Sequence, residues 1–208
     1  MTCVAACLRL WLACLVVCTA LAALSFVYVD LPVARHFWTV GRVLQPLNSA
    51  FGAAVVLSCE GALALGLVLT RLVRGHLSRL GTTLVIACLA SICTYAVNDL
   101  VLKPWFGVPV PAAVMAGAAH QFNFFAVPGT YSFPSGHMVL AASFAGVCMS
   151  LYRSALWPLG ALLLLAALLL LVGDWHFVSD VIAGGFEGLS AGFLAGGAWR
   201  LHSERDFS

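Results

Sequence analysis

The sequence predicts an all-α, integral-membrane bundle of six helices, a single membrane domain over residues 1–208. Hydrophobic residues make up 62% of the chain and charged residues only 9%, and a mean hydropathy of +1.04 lies far from the balance of a water-soluble domain. The apolar residues also fall in runs, and at about 20 residues per crossing six of them fit with connections between. A net charge of +2, scattered rather than gathered into a stripe, excludes nucleic acid as a partner. The expected partner is the bilayer itself.

The first run, residues 4–29, has Arg9 in front and small residues at its end. It exceeds the roughly 7–15 residues of a cleavable signal core, so it reads as an anchor. The stretch 30–50, with Pro32, Arg35, His36, Trp38, Arg42 and Pro46, reads as a polar, aromatic connection lying at the interface. A second span, 51–73, contains Glu60, and an acid at that depth marks either a functional group or a hydrogen bond to a neighbouring helix. Arg71, Arg74 and Arg79 make the next connection the most basic in the chain, and the third span, 82–102, ends in Asn98, Asp99 and Lys103.

The connection 103–134 is too long to be passive. Its Phe122, Phe124 and Phe125, beside His120, Gln121 and Asn123, suit either an interfacial lid or an aromatic anchor. The fourth and fifth spans, 136–151 and 156–172, are separated by a short turn at Arg153. The sixth, 179–199, carries Gly184, Gly188, Gly192 and Gly196 at the spacing that lets helices pack closely. Cys3, Cys7, Cys14, Cys18, Cys59, Cys88, Cys93 and Cys148 all fall in or beside apolar runs and are expected to be small buried hydrophobes. The first four share a helical face, but no His or carboxylate joins them, so no metal centre is expected.

Seven of the ten basic residues lie on the side that holds both termini, and Arg35, Arg42 and Lys103 lie on the other. That bias puts the termini in the cytoplasm and the loop before residue 136 on the exoplasmic face, periplasmic if the membrane is a bacterial inner membrane.

Two stretches carry chemistry: YSFPSGH at 131–137 and HFVSD at 176–180. Pro134 and Gly136 punctuate the chain ahead of an apolar run. They place Ser135 and Gly136 at a helix N-terminus, where unsatisfied N–H groups and the dipole favour an anion faced by His137. His176 and Asp180 are four apart at the head of the next span and share a face, so the carboxylate can orient the imidazole and stabilise its charged form. His36, His76, His120 and His202 lack such a context and read as interfacial residues.

These residues resemble the type 2 phosphatidic acid phosphatase family, whose motifs are K-x6-R-P, P-S-G-H and S-R-x5-H-x3-D. Residues 134–137 supply the second motif in full, and His176 and Asp180 close the third within HFVSDVIAG. Lys103 opens the first, with Phe106, Gly107 and Pro111 in the expected places, and the resemblance covers 98–197. It implies that His176 attacks phosphorus to form a phosphohistidine, that Asp180 orients it, and that His137 protonates the leaving alcohol. Lys103 and the amides near Ser135 and Gly136 would hold phosphate oxygens, with no metal or other cofactor.

Two arginines of the family pattern are absent, since Val110 stands in the first motif and Leu169-Leu170 in the third. Arginine contacts phosphate through two parallel, permanently charged hydrogen bonds that neither residue can imitate. A phosphomonoester carries about −1.5 to −2 charges, so a cradle reduced to Lys103 and a protonated His137 suits a singly charged diester better. The resulting expectation is a membrane phosphatase or phosphotransferase acting on a lipid-linked phosphate at the exoplasmic face. The alternative is a weakened or inactive relative that binds a lipid head group or a partner protein. A haloperoxidase would need a more cationic cradle, a transporter would need paired discontinuous helices, and nothing in the sequence specifies an oligomer.

Overall fold

A backbone inside a bilayer finds no water to bond, so apolar runs must close their own hydrogen bonds as helices. The computed structural model describes residues 2–50, 52–127 and 129–205, and among them helices dominate and no strand occurs. Helix α1 (Thr2–Tyr28) passes through Val29 into α2 (Asp30–Ala50), and α3 (Ala53–Arg74) follows. α3 stops at Gly75, whose φ of 74° is open to glycine at little cost. α4 (Arg79–Val97) starts on a cap, with the Ser78 hydroxyl accepting from the Gly81 N–H at 3.1 Å. It continues through a π-helical turn, Asn98–Leu102, into the short α5 (Lys103–Phe106). After α6 (Pro111–Met115) come α7 (Gly136–Leu151), α8 (Leu156–Val172) and α9 (Val178–Arg205).

Among the described residues five helical stretches are long and apolar enough to cross a membrane: Ala5–Tyr28, Asp30–Arg74, Arg79–Phe106, Arg153–Val172 and Val178–Ser203. The sixth expected span, Gly136–Leu151, is shorter. Its shortness has a reason. α7 lies in the middle of the bundle against α4, α8 and α9 and is buried nearly all round, with Val139, Leu140, Ala142 and Val147 at 1% exposure or less. A helix that meets protein on every side need not match the bilayer thickness.

Two expectations are corrected. The stretch Asp30–Ala50 is a helix rather than only a polar, aromatic connection, because its buried and half-buried residues, among them Ala34, Phe37, Gly41 and Leu44, recur with helical period and face inward. The cysteines are mostly not buried: Cys7, Cys14, Cys59 and Cys93 are exposed on apolar helix surfaces, and of those described only Cys88 is buried. Small apolar side chains suit a lipid-facing surface as well as a core, so hydropathy alone does not separate the two. The side chain of Cys3 lies outside the described residues.

α9 packs on α7 through the glycine row. A Cβ at Gly184 would sit 2.5 Å from the Ser135 carbonyl oxygen, one at Gly188 would sit 2.7 Å from that of Val139, and one at Gly192 would strike that of Ser143. No atom lies within 4 Å of a Cβ at Gly197. Glu60, on α3, resolves toward its structural reading: its Oε1 accepts at 3.1 Å from Ser91 of α4, whose hydroxyl also meets the Leu140 carbonyl at 3.0 Å.

The turn after α8 lays Asp174 against Gly41 of α2, where a Cβ would approach the Asp174 Cβ to 2.5 Å. Asp174 is 2% exposed, neither carboxylate oxygen meets a donor among the described residues, and burial raises its pKa to about 6.

Gly188→Val should destabilise the fold by about 1–3 kcal/mol through overpacking, whereas Gly197→Ala should leave it unchanged; thermal unfolding in detergent measures both. The charge on Asp174 gives a pH-dependent counterpart. Its carboxyl is neutral in both states below about 4 and is ionised at a cost in the fold above about 6. Native stability therefore falls across that window as pH rises. Asp174→Asn should gain on the order of 2–3 kcal/mol over wild type at pH above 7 and nothing near pH 3.5. A gain equal at both pH values would assign the effect to packing.

Candidate active site

The N-terminus of α7 is built as the sequence predicts. Ser135 is the cap, and its hydroxyl accepts from the Met138 N–H at 3.4 Å. Its own N–H donates to the Asp180 carbonyl at 3.1 Å, so the Ser135 amide is spent on holding α9, and the amides of Gly136 and His137 are the first-turn groups aimed out of the helix end. The Phe133–Pro134 peptide is cis. Gly136 is required here for space: a Cβ would meet the Tyr95 ring at 2.8 Å and the Lys103 Nζ at 3.4 Å. Only glycine lets the ammonium lie against this helix end.

Lys103 reaches the site by way of the π-helical turn. One side chain in that turn, Asn98, is fully buried and donates to Glu187 Oε2 of α9 at 2.9 Å, which ties the turn to the bundle. An extra residue in a helical turn re-aims everything after it. Lys103 Nζ lies 2.9 Å from Asp99 Oδ1 and 5.7 Å from the Tyr95 ring centroid. The lysine thus arrives already paired with a carboxylate.

His176 stands in the turn just before α9 rather than on it. Its Nδ1 lies 3.4 Å from Asp180 Oδ2, and that oxygen also accepts from the Phe177 N–H at 2.8 Å. A side chain at the third helical position bonding back to the capping residue's N–H is half of a capping box. Asp180 therefore closes the helix end and faces His176 at once. On the far side of the ring, His176 Nε2 lies 3.2 Å from His137 Nδ1. Burial, with help from Lys103, lowers the His176 pKa to about 3. That favours the neutral ring, and with Nδ1 turned to Asp180 it is Nε2 that faces His137 and the end of α7.

The structure adds two residues that sequence reasoning missed. Asp30, at the start of α2, is 1% exposed, and its Oδ1 accepts from the Ser179 N–H at 3.0 Å while Oδ2 accepts from the Ser179 hydroxyl. A carboxylate is thereby fixed at the N-terminus of α9. His120, read above as interfacial, is buried instead. Its Nε2 lies 3.5 Å from Asp30 Oδ2, and its ring sits 4.2 Å from that of Phe26 and 4.5 Å from that of Phe177. The available signal was slight: Asp30 is the first acid in the chain and stands alone between two apolar runs. His36, His76 and His202 lie away from the site, as expected.

The residues that the resemblance aligns with the two motif arginines lie in different settings. Leu170 is buried with Met138 and Val181, Leu169 is exposed on α8, and Val110 immediately precedes α6. Among the described residues no group of three or more His, Cys, Asp or Glu is placed to hold a metal ion. What the arrangement brings together is a neutral imidazole with its outward lone pair, a second imidazole within reach of it, one ammonium and a helix N-terminus. Such a set can attack an electrophilic anion and hand a proton to what leaves.

Comparison with curated proteins gives no match, and neither does comparison with solved structures. The family model for the PAP2 superfamily matches residues 80–205, from the start of α4 to the end of α9 and so across both histidines, Asp180 and Lys103. On that match the chain belongs to the PAP2 superfamily.

Proposed function

We propose that this protein is an integral-membrane phosphatase or phosphotransferase that cleaves a lipid-linked phosphate through a phosphohistidine on His176. The observation that carries the reading is the 3.2 Å approach of His176 Nε2 to His137 Nδ1, with Asp180 on the opposite ring nitrogen. In the first step the Nε2 lone pair forms a bond to phosphorus, the bond from phosphorus to the leaving oxygen breaks, and that oxygen takes a proton from His137. In the second, water or another alcohol gives a proton to His137 and its oxygen displaces the imidazole, which regenerates His176. Asp180 holds the ring and stabilises the charge it acquires. Lys103 and the outward amides of α7 stabilise charge on the transferring group.

Pairing of Lys103 with Asp99 supports a singly charged substrate. With that lysine half-neutralised and the arginines replaced by Val110 and Leu170, a dianionic monoester would enter a cradle with little net positive charge. A phosphodiester fits better. The positive-charge bias of the connections supports an exoplasmic site with cytoplasmic termini, and the long apolar helices support a bacterial inner membrane or another membrane of that kind. Burial of Leu170 in the apolar cluster favours a second reading, a family relative without turnover that retains head-group or partner binding.

Phospholipid monoesters, pyrophosphates and diesters presented to purified protein separate these readings, with phosphate or head-group release as the measurement. His176→Ala should abolish turnover, because no other group replaces a nucleophile. His137→Ala should slow it by about 10²–10⁴-fold, and less for leaving groups that need no proton. Equal losses in both variants, regardless of leaving group, would refute the assigned roles, and a wild type inert to every class would favour the second reading. Asp99→Asn should raise the monoester-to-diester ratio of kcat/KM by about 1.4- to fivefold, the ~0.2–1 kcal/mol of a partly exposed ion pair. An unchanged ratio would remove Asp99 from the account of specificity.

A further inference from the structure

The turn between α8 and α9 delivers Trp175 together with His176. The Trp175 backbone N–H donates to the Leu170 carbonyl at 3.1 Å, which folds the turn back over the end of α8. Its indole packs against the apolar cluster of Met138, Leu170 and Val181. Gly173 makes room for it, since a Cβ there would come within 2.9 Å of Cε2, the ring carbon bonded to Nε1. The indole is also 6.4 Å from the His137 ring, tilted by 36°, and the His137 ring is 5.4 Å from that of His176. His137 thus neighbours both the tryptophan and the candidate nucleophile. The body of the indole has apolar neighbours, but Nε1, its one polar atom, is buried and meets no acceptor among the described residues. A buried N–H without an acceptor is rare in a folded chain and carries a cost. The adjacent carboxylate of Asp174 is unmet as well, so the turn does not use the indole to satisfy it.

We propose that the Trp175 indole N–H donates to a phosphate oxygen of the substrate, a neutral contact beside the residue that the resemblance aligns with an arginine of the third motif. The proposal rests on the functional reading above and adds a substrate-binding residue to it. Leu170, in the cluster against which the indole packs, is the aligned residue. A guanidinium brings a full charge and two parallel hydrogen bonds, whereas an indole brings one hydrogen bond and no charge. Because that N–H can only donate, its partner must be an acceptor, and the unesterified oxygens of a phosphodiester are acceptors of that kind. A neutral donor suits a singly charged group, since a dianion would bring into the site a charge that nothing there matches. The indole is rigid, so engaging it costs little conformational freedom. His176 is itself only 8% exposed, so a substrate that reaches the nucleophile has already entered the layer in which Nε1 is buried.

The test uses full-length protein with isotope-labelled tryptophan in maltoside micelles, which contain no phosphate, and dimethyl phosphate as a singly charged probe. The indole N–H signal lost from the NMR spectrum in Trp175→Phe is that of Trp175. On titration of wild type it should move downfield and saturate, while the signals of Trp11, Trp157 and Trp199 stay in place. Protection from thermal unfolding gives the affinity of both proteins. Trp175→Phe should need about 10- to 150-fold more dimethyl phosphate for the same protection, the worth of a hydrogen bond to a charged group. Should that variant fail to fold, β-(3-benzothienyl)alanine at position 175 keeps the two-ring shape with sulfur in place of N–H, and the same loss is expected. A Trp175 signal that stays still at saturating probe, or an affinity unchanged in a folded variant, would overturn the proposal, and so would a probe that neither moves the signal nor protects. Turnover of a phosphodiester lipid is measured on the same preparations. A moving signal in a protein that cleaves nothing would overturn the catalytic reading and leave the indole contact standing. Turnover with a motionless signal would overturn the contact and leave the chemistry standing.

Discussion

The placement of both histidines depends on how closely α9 can approach α7. His137 rides on the first turn of α7 and His176 on the turn that feeds α9, so the gap between their rings is set by the packing of two helices and not by either loop alone. The glycine row makes the approach possible, because at Gly184, Gly188 and Gly192 a methyl group would collide with carbonyl oxygens of the facing helix. Lipid supplies no hydrophobic drive between helices, so association here rests on close van der Waals contact and on polar links such as the Ser135 N–H to the Asp180 carbonyl. That hydrogen bond joins the cap of one helix to the first turn of the other. A change that separates the helices would separate the imidazoles with them.

The second constraint comes from outside the matched region. Asp30 satisfies both the backbone and the hydroxyl of Ser179, and His120 packs against the same carboxylate between two phenyl rings. Burying an acid to 1% exposure costs least where its oxygens are met, and here the donors are the N–H and the hydroxyl of Ser179 in the first turn of α9. Through that one group the α1–α2 junction, the long connection before α7 and the His176 turn are held in register. The connection is therefore neither a passive link nor a free lid. Asn123, Phe125 and Ala126 donate backbone hydrogen bonds to α5, and Ser132 donates to Val108, which fixes the approach to Pro134.

Much of this was legible in the residues. Spans whose ends carry punctuation were placed well: Gly136 begins α7, and the glycine spacing in α9 does mark its packing face, because local chemistry decides both. His137, His176 and Asp180 were readable because their spacing and helix-end context are short-range. Asp30, His120, Asn98 and Glu187 were not, since each acquires its meaning from a partner between 89 and 149 residues away. The amphipathic α2 was hidden for another reason: its prolines and arginines suggested a connection, and its inward positions mix Asp30, Gln45 and Asn48 among the apolar residues. The π-helical turn leaves no signature at all, being a one-residue adjustment made to seat Asn98.

On the family resemblance Leu170 and Val110 stand where the motifs carry arginine, and the fold treats the two differently. Leu170 packs with Met138 and Val181, so a guanidinium placed there would be buried among hydrocarbon. Val110 is only partly buried at the start of a short helix, with no such commitment. Asp174, two residues ahead of His176, is also buried with no donor to its carboxylate among the described residues, and Asp99 takes up part of the charge on Lys103. Each of these four residues leaves the neighbourhood with little positive charge. The imidazole pair and its carboxylate nevertheless keep their contacts. On the proposed reading, such a site takes a group of lower charge and retains the chemistry of receiving it.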